Sequence, residues 1–143
     1  MFSHTYLEEE MKRYQEIPQL ICQIKPKTII EVGTWNGKRA IEMAKAALYF
    51  NDVHYKGYDL FEDSTEETNK EEMNVKKSYT KEEVENYLND FKKRNDSFTF
   101  ELVKGNTRKT LVRDVADFVF IDGGHSVKTI QSDYNALKNS PFR

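Results

Sequence analysis

Two side chains late in the chain have the types and spacing for proton chemistry. Asp122 and His125 stand three residues apart in FVFIDGGHS, residues 118–126. An imidazole titrates near neutrality and can take a proton from a hydroxyl, and a carboxylate beside it orients that base. Alone they are an incomplete metal set. A second group is Glu31, Gly33 and Gly37, with Thr34 and Trp35 between the glycines. Glycines let backbone pass close to a ligand, and a helix N-terminus just after them is electropositive. A third is Asp59, a carboxylate able to accept both hydrogens of a ribose diol, followed by Leu60 as apolar wall. A fourth is Asn106 with Thr107, an amide and a hydroxyl that can hydrogen-bond a base edge.

Each group falls where one element hands over to the next. Thr28–Val32 is a β-branched, apolar run that reads as a buried strand. A helix follows it, with Ala40, Ile41, Met43, Ala44, Ala47 and Leu48 on its apolar side. Residues 53–59 read as a second strand ending at Asp59, residues 98–103 as a third and residues 117–122 as a fourth ending at Asp122. Thr80 and Glu83 form a capping box ahead of Val84, Tyr87, Leu88 and Phe91 at helical spacing. Leu111, Val112 and Val115 suggest a short helical connection. Val127, Ile130, Tyr134 and Leu137 mark the apolar side of a last helix. Residues 5–24 carry a helical pattern that Pro18 is expected to divide in two. Residues 62–79 are dense in charge and poor in large apolar groups, which predicts a mobile surface loop or an active-site lid.

The spacing of the glycines separates three ligand classes. A phosphate-cradling loop needs G-x-x-x-x-G-K-[ST]. Here only three residues separate Gly33 from Gly37, and Arg39 occupies the Ser/Thr place. A dinucleotide fingerprint needs a glycine where pyrophosphate approaches, and Trp35 stands there. A nucleoside without phosphates tolerates a bulky residue at that point.

Composition narrows the classes further. The 143 residues suggest one domain over residues 1–143. A formal net charge of -2 gives no electrostatic case for nucleic acid. No apolar run reaches the roughly 18 residues of a membrane span. The N-terminus lacks the apolar core of a signal peptide, so a cytoplasmic location is the default. Cys22 is the single cysteine, which excludes an internal disulfide and a cysteine-based zinc site.

The stretch from Glu31 to Gly37 resembles motif I of the class I S-adenosylmethionine (SAM) methyltransferases. IIEVGTWNGKRAIEMA, YDLFED, ELVKGNT and FVFIDGGHSVKTIQSDYNAL are each similar to segments of that family. They are most similar to the branch of macrocin (TylF-like) O-methyltransferases and relatives with a D-G-x-H motif, over about residues 27–138. The resemblance implies an α/β, Rossmann-like three-layer sandwich with a mostly parallel sheet of order 3-2-1-4. It implies SAM bound by Glu31, Gly33 and Asp59, with Thr34, Trp35, Gly37, Leu60, Asn106, Thr107 and Asp122 around it. It also implies methylation of a small-molecule hydroxyl, with His125 as base. Asp122 would orient the acceptor or help hold a divalent metal such as Mg.

The family's sheet has seven strands, and this sequence ends soon after the helix that follows the fourth. A C-terminally truncated form is therefore expected, or else a second copy of the chain covering the sheet edge as a homo-oligomer. The further acidic metal ligands of the family fall in the absent part. Two alternatives remain: a non-catalytic SAM- or nucleoside-binding module, and an NAD-type oxidoreductase, against which Trp35 argues.

Overall fold

The computed structural model describes residues 15–72, 77–124 and 126–141. Four strands form one sheet: β1 (Thr28–Val32), β2 (Val53–Asp59), β3 (Phe98–Lys104) and β4 (Phe118–Ile121). All pairings are parallel and the spatial order is β3-β2-β1-β4, the order expected. Because the strands run the same way, their C-terminal ends lie along one edge. β1 sits between β2 and β4, so the chain turns one way after β1 and later crosses to its other side. Such a switch point is where open parallel sheets bind ligands.

Strand alternation assigns each residue to a layer. Ile29 of β1 joins Tyr55, Phe98 and Phe118 in the larger core. Three helices cover it: α1 (the described helical residues 15–24), α2 (Lys38–Leu48) and α4 (Lys81–Lys93), through Ile17, Ile21, Met43, Ala44, Leu88 and Phe91. Ile30 and Val32 point the other way, to Tyr58, Val119, Leu111 and Ala116 and to Ala136 and Leu137 of α6 (Val127–Leu137). Helices on both faces make the sheet three layers deep, and this accounts for strands that read as apolar runs.

The box predicted at Thr80 is present. Its hydroxyl accepts the Glu83 amide at 3.1 Å, and the Glu83 carboxylate accepts the Thr80 amide at 3.0 Å. Four expectations change. Residues 15–24 are helical on both sides of Pro18, so no division occurs there, and Lys25 at φ 54° ends the run. The stretch 62–79 is not wholly irregular. A 3₁₀ turn at Phe61–Asp63 leads to α3 (Glu66–Glu71), closed by reciprocal bonds between Thr65 and Thr68. α3 buries no residue, so no hydrophobic period announced it. The helical connection lies earlier than expected, as α5 (Thr107–Thr110) capped by Asn106, and Val112 and Val115 are exposed beyond it. On α6 only Leu137 of the predicted stripe is buried. Thr129, Asp133 and Ala136 face inward, while Val127, Ile130 and Tyr134 are exposed. No helix among the described residues is long and apolar enough to cross a membrane.

Candidate functional site

The loops after β1 and β4 lie back to back at the switch point. The Gly33 amide donates to the Tyr58 carbonyl at 2.7 Å, and the Asp122 amide donates to the Val32 carbonyl at 2.8 Å. Gly33 has φ 93°, and a Cβ on it would lie 2.1 Å from the Asp122 carbonyl oxygen. Both facts demand glycine. Gly37 answers a different need. At φ 83° it caps α2, and a Cβ there would press on Val84 and Tyr87 of α4 at 3.3 and 3.2 Å.

Beneath this loop lies a buried polar chain. Glu31 is fully buried and opposite Gly57 in the β1–β2 register. The Tyr55 hydroxyl donates to Glu31 Oε1 at 2.7 Å and lies 3.1 Å from Thr34 Oγ1. Gly57 makes room for the arrangement, since its Cβ would be 2.3 Å from Thr34 Oγ1 and 2.7 Å from the Tyr55 hydroxyl. Glu31 Oε2 has no hydrogen-bond partner among the described residues, and Arg39 Nη1 is 3.6 Å away. Burial drives the Glu31 pKa up to about 8, against the opposing pull of the Tyr55 bond and the Arg39 charge. Burial, together with the facing Glu31 charge, raises Tyr55 well above its ordinary value.

At the end of β2, Asp59 joins two loops. One oxygen accepts the Trp35 amide at 2.8 Å and the other the Phe61 amide at 2.8 Å. A carboxylate oxygen accepts more than one bond, so this fixes the group without exhausting it. Leu60 follows, half-buried. Trp35 sits at φ 52°, and its indole N–H donates to the Lys77 carbonyl at 2.7 Å while its ring meets Tyr79 edge-on at 5.8 Å. The Trp35 side chain is thus packed on residues 77–79. The Gly105 amide donates to the Asp59 carbonyl at 3.0 Å, which brings the Asn106 turn alongside. Asn106 Oδ1 accepts the Arg108 amide at 3.0 Å as the cap of α5. Thr107 is buried beside Asp133.

Asp122 reaches the same rim from β4. Its Oδ2 accepts Arg39 Nη1 at 3.0 Å, and the guanidinium lies over the Phe120 ring, 4.8 Å from its centre. This pairing bears on the metal expectation. A fixed cation already sits on the carboxylate, and no group of three His, Cys, Asp or Glu among the described residues could hold a metal. The described residues do not fit a divalent ion. His125 lies outside the described residues.

Four residues of this neighbourhood went unseen in the sequence reading. Tyr55 and Gly57 were within reach, since alternation back from Asp59 puts both on the Glu31 face. Arg39 entered only as a mismatch to a phosphate loop. Glu72, whose Oε2 accepts the Ser126 amide at 2.9 Å shortly after Asp122, gave no sign, being one acid among many between residues 62 and 79.

The model of a family described as "Methyltransferase domain" matches residues 30–140. A comparison with curated proteins gives no match. Among solved structures, the SAH-bound Podospora anserina methyltransferase PaMTH1 is similar at 20% identity and a TM-score of 0.54, over 87% of this chain and 47% of that one. The O-methyltransferase TomG of Streptomyces achromogenes, solved with SAM and involved in tomaymycin synthesis, is 16% identical, with a TM-score of 0.50 over 78% of this chain and 44% of that one. A provisionally assigned caffeoyl-CoA O-methyltransferase of Staphylococcus aureus is 18% identical, with a TM-score of 0.56 over 95% of this chain and 62% of that one. The chain therefore spans about half the length of the first two and about three fifths of the third. These are likenesses of fold.

Proposed function

The chain belongs to the methyltransferase-domain family, and on that premise we propose that it binds SAM at the switch-point rim and methylates a hydroxyl of a small molecule. The observation that carries this reading is the convergence on one loop. Gly33 lies against Asp122, and Trp35, two residues on, holds Asp59. PaMTH1 and TomG, which share the fold, hold SAH and SAM. The Asp122-Gly123-Gly124-His125 run adds support for the D-G-x-H branch.

In this reading Gly33 offers bare backbone to the ligand, and Asp59 accepts the ribose hydroxyls from a carboxylate already oriented by two amides. Leu60 lines the nucleoside, and Asn106 stands at the base edge. Glu31 supplies a polar floor whose charge is governed by burial. Bound SAM supplies a methyl group already activated on a sulfonium. What remains for the protein is alignment and removal of one proton. Asp122, held by Arg39, is an oriented anion beside the acceptor, and His125 takes the hydroxyl proton.

Calorimetric titration with SAM and SAH tests the first step. Both give saturable heat, NAD gives none, and Asp59→Ala weakens SAH by on the order of tenfold through loss of charge-assisted bonds. Absence of heat with folded protein rejects the reading. Because the chain covers about half of two solved relatives, a binding module without transfer is the second reading. It predicts the same heat, with no label passed from methyl-labelled SAM to phenols or alcohols.

A further inference from the structure

We propose that Glu72 is a positioning residue for the turn Asp122–Gly124 and for the start of α6 at Ser126, reaching both from the segment between β2 and α4. The inference rests on the methyl-transfer reading for its consequence and on contacts for its placement. The loop cannot stiffen itself. It holds two consecutive glycines, and each is bare because something fills its side-chain space. A Cβ on Gly123 would lie 2.9 Å from the Val32 side chain. A Cβ on Gly124 would lie 2.2 Å from Glu72 Oε2 and 2.6 Å from its carboxyl carbon.

Glu72 stands at the C-cap of α3. Its Oε2 accepts the Ser126 amide at 2.9 Å, and its Oε1 accepts the Thr129 hydroxyl at 2.7 Å and the Ser126 hydroxyl at 3.1 Å. Ser126 is the N-cap of α6, whose first turn also holds Thr129, so the charge sits where a helix start favours it. Burial works to raise the Glu72 pKa. The Ser126 amide, the two hydroxyls and the Arg108 charge outweigh it and hold the group below the ordinary carboxylate value. Asp133, one turn further along α6, faces the same space beside Thr107, and burial raises it against the pull of the Thr107 hydroxyl.

Glu72 is the one buried residue between 62 and 72, on a helix that buries nothing else. Apolar packing does not explain its burial. Its three bonds all end on the residues that launch α6. Through them the outer segment sets where the turn after Asp122 runs, and with it the approach of Asp122 to an acceptor. Glu72 touches no residue assigned above to the nucleoside. Its loss should therefore act on turnover and leave the cofactor in place.

Two measurements test this. The first is a thermal double-mutant cycle of Glu72→Ala and Gly124→Ala. Gly124 has no left-handed backbone, and its alanine would meet the Glu72 carboxylate at 2.2 Å and, less severely, the Thr129 methyl at 2.9 Å. Gly124→Ala should lower Tm in the parent and lower it clearly less in the Glu72→Ala background, where only the Thr129 contact remains. An equal loss in both overturns the placement. The second compares SAH affinity with transfer of labelled methyl to phenols. Glu72→Ala should keep the SAH Kd and the KM for SAM within twofold and lower kcat tenfold or more, while Glu71→Ala on the exposed side keeps kcat. Unchanged kcat in Glu72→Ala overturns the positioning role. If the parent protein gives no heat with SAH, the cofactor reading fails instead, and the thermal cycle still decides for Glu72.

Discussion

The two halves of the sheet are held together by different means. On the β1–β2 side, Glu31, Thr34, Tyr55 and Gly57 meet through the register of neighbouring strands, and their polar atoms are sealed inside. On the β4–α6 side, Asp122 is held by Arg39 from α2 and the following loop by Glu72 from α3. The outer face of α6 there exposes Val127, Ile130 and Tyr134. The first side is a closed interior in which every added atom meets another. The second depends on a few long polar links and presents apolar surface. Most of the groups proposed to bind the nucleoside stand on the first side, and Asp122, proposed to react, stands on the second.

The sharpest way to break this contrast is Gly57→Ala. It places a methyl 2.3 Å from Thr34 Oγ1 and 2.7 Å from the Tyr55 hydroxyl, both buried. It should cost about 2–4 kcal/mol in urea unfolding, and a loss under about 0.5 kcal/mol would show that the interior yields.

A smaller effect comes from Glu31. Its pKa rises from 4.5 unfolded to about 8 folded, so the folded state holds an extra proton between those values. The stability this proton confers is complete below about pH 4.5 and fades as pH climbs through about 8. Glu31→Gln should flatten that portion of the Tm-against-pH profile, and an unchanged slope would place the titration elsewhere.

The smallest effect belongs to the open side. Ile130→Ser on exposed α6 should change stability by less than about 0.5 kcal/mol, and a larger loss would mean that the α6 face is covered in solution.

The four strands were legible because parallel strands buried on both faces leave apolar, β-branched runs such as Thr28–Val32 and Phe118–Ile121, whereas their order came only from the family resemblance. The α4 start was legible because Thr80 and Glu83 satisfy amides that a helix must leave open. α3 was not, since it has a cap but no apolar face. The α6 face was misassigned because period alone does not say which side meets the sheet. Thr129 and Asp133 took the inward positions, while Ile130 and Tyr134 stayed outside. Among the proposed site residues, Glu31, Gly33, Asp59 and Asp122 were singled out because they stand at or beside strand ends. Arg39 and Glu72 act across 83 and 54 positions of sequence, and no local pattern carries such a link.

Trp35 is the single tryptophan of the chain. Its indole donates to the carbonyl of Lys77 and abuts Tyr79, at the seam between the glycine loop and the strap that returns to α4. The protein thus carries its own fluorophore at the joint, with emission that belongs to one place. Movement of that seam on ligand entry would be visible as a change in indole colour and brightness, without any label attached.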